Sequence, residues 1–203
     1  MKAKRTSQLL KNIVTAPDDG RISVGEFVKQ LGDRSFALVI LIFSLPNSLP
    51  VPGIPGFSTI TGLPILFVAL QIMFGRESIW LPRKVARVRF SHRSMTKIIG
   101  KAIPAVLWLE KLLRPRLSFL CEGLGERFIG LLILLMASIL CLPVVGGNFL
   151  PGFAISLLAL TLLEKDGFFA LFSTAFTIGS LSFMYKLIAF VLAGLHKWML
   201  GLF

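Results

Sequence analysis

Residues 32–75 read GDRSFALVILIFSLPNSLPVPGIPGFSTITGLPILFVALQIMFG, and the fold turns on how this stretch is understood. Ser35–Gly75 is a run of 41 residues without Asp, Glu, Lys or Arg. A run of 18 or more apolar residues reads as a membrane segment, and a helix needs about 20 residues to cross the hydrocarbon core. This run therefore has room for two helical arms. It is not one long helix, because Pro46, Pro50, Pro52 and Pro55 fall close together, with Gly53 and Gly56 among them. Each interior proline removes a helical hydrogen bond. In hydrocarbon such backbone persists only where protein buries it or where it lines a wet cavity. Ser44, Asn47, Ser48, Ser58, Thr59 and Thr61 are at hand as replacement partners. The first arm, of about 14 residues, spans about 21 Å at 1.5 Å per residue, against a core about 30 Å thick. A re-entrant hairpin and a tilted, fully crossing hairpin both satisfy this arithmetic. Gly62 and Pro64 predict a further break in the second arm, which runs from about Phe57 to Phe74.

The design recurs. Phe128–Leu163 is a second charge-free run, of 36 residues, and LPVVGGNFLPGF interrupts it with Pro143, Gly146, Gly147, Pro151 and Gly152. Gly32-Asp33-Arg34 aligns with Gly125-Glu126-Arg127, and Pro50 with Pro143 at the same offset; Pro55-Gly56-Phe57 then aligns with Pro151-Gly152-Phe153. We read two repeat units, about 6–82 and 94–167. Glu164-Lys165-Asp166-Gly167 makes a polar break, after which two C-terminal helices, about 168–184 and 187–202, close a single membrane domain spanning 1–203. The expected fold class is an all-α membrane protein of about six hydrophobic helical segments: two repeated hairpins with Pro/Gly-broken helices, interfacial amphipathic helices and the C-terminal pair. Paired broken helices meeting near the midplane are characteristic of transporters.

Composition agrees. The chain is 55% hydrophobic and 16% charged, yet carries a net charge of +12, and its mean hydropathy is +0.80. Disordered, collagen-like and coiled-coil chains are excluded, since those are polar or strictly periodic. The cations are segregated: seven of the 22 lie in residues 1–34 and twelve in residues 76–127. Excess Lys and Arg beside membrane segments marks the cytoplasmic side, so both blocks and the N-terminus are expected there. Anionic headgroups attract such cations at about 1 kcal/mol each, and no nucleic-acid partner is needed to account for them. Lys2, Lys4 and Arg5 imitate a signal-peptide start, but no apolar stretch follows directly, so no secretory signal is expected. Cys121 and Cys141 form no metal or redox spacing, and no metal or cofactor is expected.

Smaller elements frame the hairpins. Residues 6–14 place Leu9, Leu10, Ile13 and Val14 on one face of an interfacial helix. Ser23-Val24-Gly25-Glu26 is a capping box opening a helix that ends at Gly32. Trp80 suits the interfacial aromatic belt. Residues 94–113 form a second interfacial amphipathic helix.

Ionisable and amide groups next to hydrophobic runs are costly and therefore functional candidates. Arg34 and Arg127 head the first arms; Glu77, Glu164 and Asp166 follow the second arms and are placed to pair with them across each hairpin. Gln71 sits inside an apolar run, and Asn47 and Asn148 lie in the two breaks. Together they suggest a polar cavity lined by both breaks, holding an ion or the head of a lipid-linked sugar. Arg83, Lys84, Arg87, Arg89 and Arg93 are candidates for lipid-headgroup contact. Enzyme signatures are absent: no H-E-x-x-H, G-x-S-x-G or Walker A motif occurs, and the protein is read as not an enzyme.

The stretch quoted first, followed by RESIWLP, then LEKLLRPRL, GERFIGLLILL, LPVVGGNFLP and LEKDG, resembles the ExoD family of bacterial membrane proteins, from about Ser7 to about Gly167. The resemblance implies an integral, multi-pass inner-membrane protein linked to exopolysaccharide synthesis, and it brings no catalytic residue set. Three functions are compatible: a transporter or flippase-like factor for polysaccharide intermediates, an ion or proton transporter affecting the envelope, and a non-catalytic scaffold of a polysaccharide-synthesis complex. The expected partners are membrane lipids, a second copy of the chain in a homodimer, and polysaccharide-synthesis proteins.

Overall fold

A computed structural model describes residues 21–49, 56–76, 78–87, 89–91, 117–142 and 148–200, with isolated positions 100, 104, 107 and 113. Among them the fold is helical, with one exception that the sequence reading did not anticipate: a two-stranded antiparallel ribbon. Strand β1 (Arg21–Ser23) pairs with β2 (Arg89–Ser91), placing Arg21 opposite Ser91 and Ser23 opposite Arg89. The ribbon and the contact of helix α1 (Val24–Leu31) with the short helix α4 (Arg83–Ala86) tie the N-terminal segment to the basic segment after the first hairpin. The capping box forms as expected. The Glu26 N–H donates to Ser23 Oγ (3.2 Å), and the Ser23 N–H donates to Glu26 Oε2 (2.9 Å).

The first hairpin consists of α2 (Arg34–Ser44), a single 3-10 turn (Leu45–Ser48) and α3 (Phe57–Met73). The second consists of α5 (Leu124–Leu140) and α6 (Phe149–Glu164). Pro46 sits in the 3-10 turn, where its missing N–H costs little. The expected second break in α3 does not occur. The helix runs through Gly62 and Pro64, because a lone proline forfeits one backbone bond while its neighbours keep theirs. Thr61 Oγ1 also donates back to the Phe57 and Ser58 carbonyls nearby.

The hairpins interleave. The most extensive pairings are α3 with α5 and α2 with α6, completed by contacts within each hairpin. Both cross-hairpin pairs are antiparallel. Gly62, early in α3, abuts Cys141 after α5, whereas Gly130, early in α5, abuts Ile72 and Met73 at the end of α3. The described flanks of both Pro/Gly breaks therefore lie at one end of the bundle, and all four helix bases at the other. Phe36, Ile40, Ile65, Ile72, Ile133, Met136, Ile155 and Leu158 fill the space between the helices.

The C-terminus corrects the expectation of two helices: α7 (Gly167–Leu200) is a single helix of 34 residues, about 51 Å long at 1.5 Å per residue. No proline interrupts it, and the two lysines within it, Lys186 and Lys197, remove no backbone bond. The stretch Gly167–Gly194 is the one helix among the described residues long and apolar enough to cross a membrane; Arg34–Ser48, Phe57–Met73 and Phe149–Glu164 are shorter apolar helices. The outer surface is apolar as well. Ile42, Ile60, Leu63, Leu131, Phe172 and Phe183 are all exposed. Hydroxyls take the interior instead, with Ser44, Ser156, Thr161, Ser173, Thr177 and Ser180 buried.

Candidate functional site

At the break end, the described side chains are spent on one another. Ser44 Oγ and Ser48 Oγ each lie 2.7 Å from Ser156 Oγ. Asn47 Nδ2 donates to Thr61 Oγ1 (2.8 Å) and to the Phe43 carbonyl (3.1 Å). Asn148 Nδ2 donates to Ser58 Oγ (2.7 Å), and Thr59 Oγ1 to the Cys141 carbonyl (3.0 Å). A Cβ on Gly152 would sit 2.7 Å from the Asn47 carbonyl carbon, so the start of α6 rests directly on the first turn. Among the described residues the two breaks thus meet in a packed, hydrogen-bonded contact. Residues 50–55 and 143–147 lie outside the described set. Asn47 bonds across the first chain reversal and to a carbonyl near the end of α2, whereas Asn148 bonds from the second hairpin to the first.

The charged groups converge at the opposite end. There a pocket of about 120 Å³ is lined by Ile72, Gly75 and Arg76 where α3 ends, by Gly123, Glu126 and Arg127 where α5 begins, and by Asp33 ahead of α2. Local sequence explains each approach. Gly75 takes a left-handed conformation (φ 69°), and the Gly75 and Arg76 N–H groups donate to the Ile72 and Gln71 carbonyls. This terminates α3 and turns Arg76 towards the pocket. The Arg127 guanidinium lies against Gly75: a Cβ there would meet Nη2 at 2.6 Å. Lys165, also left-handed (φ 51°), follows the last residue of α6. Its Nζ bridges Asp33 at 3.8 Å and Glu122 at 3.6 Å, joining the starts of both hairpins to the end of the second.

The electrostatics follow from burial. The Glu126 carboxyl, two residues before the charge-free run, is raised from its ordinary value. Burial is the main cause, Asp33 and Glu122 reinforce it, and Lys165 opposes it. The Cys121 thiol is pushed up to about 11, chiefly by burial and then by Asp166. It stays protonated near neutral pH and is not a nucleophile there.

The expected site residues separate accordingly. Arg127 belongs to the pocket. Arg34 opens α2 and Glu164 closes α6, both half-buried at the same end. Asp166 caps α7: its Oδ1 accepts from the Phe168 and Phe169 N–H groups (3.0 and 3.3 Å). Gln71 has a structural partner, its Oε1 accepting from the Trp80 N–H (2.6 Å) while Nε2 donates to the Trp80 and Phe67 carbonyls. This holds the post-hairpin segment on α3, and the Trp80 ring packs on Phe67 with centroids 6.0 Å apart. Glu77 and Arg93 lie outside the described residues. Exposed Arg83 begins α4, which also contains Lys84; exposed Arg87 follows it, and Arg89 begins β2. Sequence reasoning passed over Arg76, Glu126 and Lys165 as members of a site. The available signal was that each borders a charge-free run.

A model of the family described as "Exopolysaccharide synthesis, ExoD" matches residues 6–186. Protein ExoD of Rhizobium meliloti (strain 1021) is 33% identical over 165 residues, covering 79% of this chain and 68% of that protein. An uncharacterized protein of Synechocystis sp. is 32% identical over 165 residues, covering 80% of this chain and 77% of its own. No solved structure matches the chain.

Proposed function

The chain belongs to the ExoD family, and from that premise we propose that it is a multi-pass inner-membrane protein acting as a transporter or flippase-like factor in exopolysaccharide synthesis or export. The observation that carries this reading is the inside-out distribution of polarity. Exposed apolar side chains cover the outer faces of the helices, whereas buried hydroxyls line the interior and a charged pocket opens where the helix bases meet. Lipid suits such an exterior, and polar groups inside a membrane bundle mark pathways more often than decoration. The two hairpins act as repeats facing the same way, with their charged bases towards the cytoplasm and their breaks deeper or beyond. Helices α3 and α6, of 17 and 16 residues, measure about 24–26 Å at 1.5 Å per residue, slightly short of the hydrocarbon core. They therefore need thinned bilayer or incomplete insertion at the break end.

A second reading is favoured by the hydrogen-bonded contact between the breaks. A bundle locked there suits a static, non-catalytic scaffold for polysaccharide-synthesis proteins. Reconstitution into liposomes separates the two. Movement of protons, cations or a lipid-linked sugar above protein-free controls supports transport. No movement of any of these, from protein that restores exopolysaccharide production in cells, refutes transport and supports the scaffold. Cysteine accessibility at positions 87 and 91 tests the orientation, and labelling from the periplasmic side would overturn it.

A further inference from the structure

Resting on the reading of the helix bases as a cytoplasmic vestibule, we propose that the pocket between the end of α3 and the start of α5 binds a phosphate-class oxyanion, held by Arg76 and Arg127. The charges around the pocket do not cancel uniformly. Asp33 and Glu122 are engaged by Lys165 at 3.8 and 3.6 Å. Glu126 lines the same pocket, and burial raises its carboxyl above the ordinary value, opposed by Lys165. Arg76 and Arg127 remain, and among the described residues neither takes part in an ion pair. Two guanidinium groups facing one cavity are a poor resting arrangement unless an anion comes between them. Their planar donor forks match phosphate oxygens in pairs.

The backbone favours the same sign of ligand. The 17-residue α5 begins at the pocket wall with no side-chain cap on its N-terminus, so the positive end of its dipole lies beside the site, although the Gly125 N–H is taken up by the Glu122 carbonyl and Glu126 stands in the first turn. Contact with Gly75 limits where the Arg127 guanidinium can go. The volume of about 120 Å³ equals roughly four waters at about 30 Å³ each, enough for a phosphate group with part of its hydration. The phosphate can come from a lipid headgroup, including that of a lipid-linked sugar, or from a soluble phosphorylated compound.

The test uses the full chain in a phosphate-free maltoside detergent, with thermal midpoints and phosphorus NMR line widths read during titration. One arm adds inorganic phosphate and the other short-chain phosphatidic acid, each against chloride at matched ionic strength. At least one is expected to raise the midpoint and broaden its own resonance. Saturation by phosphatidic acid at the lower concentration identifies a lipid source; saturation by inorganic phosphate at an equal or lower concentration identifies a soluble one. Arg76→Gln and Arg127→Gln should weaken binding tenfold or more, as expected for loss of a charge-assisted bond, while Lys186→Gln, exposed on α7, leaves it unchanged. Midpoints and line widths identical to chloride in both arms overturn the proposal, as does an equal loss in Lys186→Gln. The wild-type line widths decide the matter even where a variant fails to fold. Binding without liposome flux refutes transport alone, and flux without binding refutes the oxyanion site alone.

Discussion

Replacing Gly152 by alanine tests whether the two breaks form one packed contact. The added Cβ would lie 2.7 Å from the carbonyl carbon and Cβ of Asn47 and 2.8 Å from its carbonyl oxygen, whereas ordinary contact begins near 3.4 Å. The obstruction is mostly backbone, so no rotamer change relieves it. Either α6 or the 3-10 turn must move by about 0.7 Å, given the 2.7 Å and 3.4 Å distances. Overpacking of this kind costs about 1–3 kcal/mol. Alanine also contributes helix propensity, about 1 kcal/mol over glycine, which would mask part of the loss. Gly179→Ala supplies the control: it lies in α7 with nothing within 4 Å of its added Cβ, so it gains the propensity without the clash. The difference between the variants isolates the steric cost. At about 2–4 °C per kcal/mol for a chain of this size, Gly152→Ala should melt roughly 2–12 °C below Gly179→Ala in detergent. Equal melting temperatures would refute a direct contact between α6 and the first turn.

Three further outcomes follow from the charged end. Folding raises the Glu126 carboxyl above its ordinary value of 4.5, so the folded chain holds this proton more tightly than the unfolded chain. Stability is then lost as pH rises from 4.5 through the folded value; Glu126→Gln should remove that loss, raising the melting temperature at neutral pH and changing it little below pH 4.5, as a paired pH series of melts would show. Lys165→Ala breaks both bridges to Asp33 and Glu122, which are partly exposed, for a loss of about 0.2–1 kcal/mol each. Lys165→Gly should lose less, because glycine relieves about 1 kcal/mol of left-handed strain, and 1 M salt should narrow the gap between Lys165→Ala and the wild type. Gln71→Ala leaves the Trp80 N–H without its acceptor, costing about 1–3 kcal/mol. Hydrogen exchange in a peptide covering residues 78–82 should accelerate, while exchange in α5 stays unchanged.

The hairpins were legible because their cause is local. Absence of charge from Ser35 to Gly75 and from Phe128 to Leu163 marks the arms, clustered prolines mark the first reversal, and the Ser23–Glu26 spacing alone specifies a helix start. Local rules also misled where the decision was energetic: one proline did not divide α3, and the C-terminal run forms one helix, α7, in place of two. The site was legible only in its ingredients. Asn47, Asn148 and Gln71 stood out as polar residues in apolar surroundings, yet each is taken up by a structural hydrogen bond.

What the sequence by itself determined is the run of apolar arms, their reversals and the segregation of charge, since backbone hydrogen bonding and side-chain solvation act on each segment independently. Only the tertiary structure decided that α3 packs on α5 and α2 on α6, and hence which charges meet. Lys165 reaches Asp33 and Glu122, and Arg76 shares a pocket with Arg127, across separations that no local pattern encodes. The register between helices is set by the fit of their side chains, and that register brings the two arginines to one cavity.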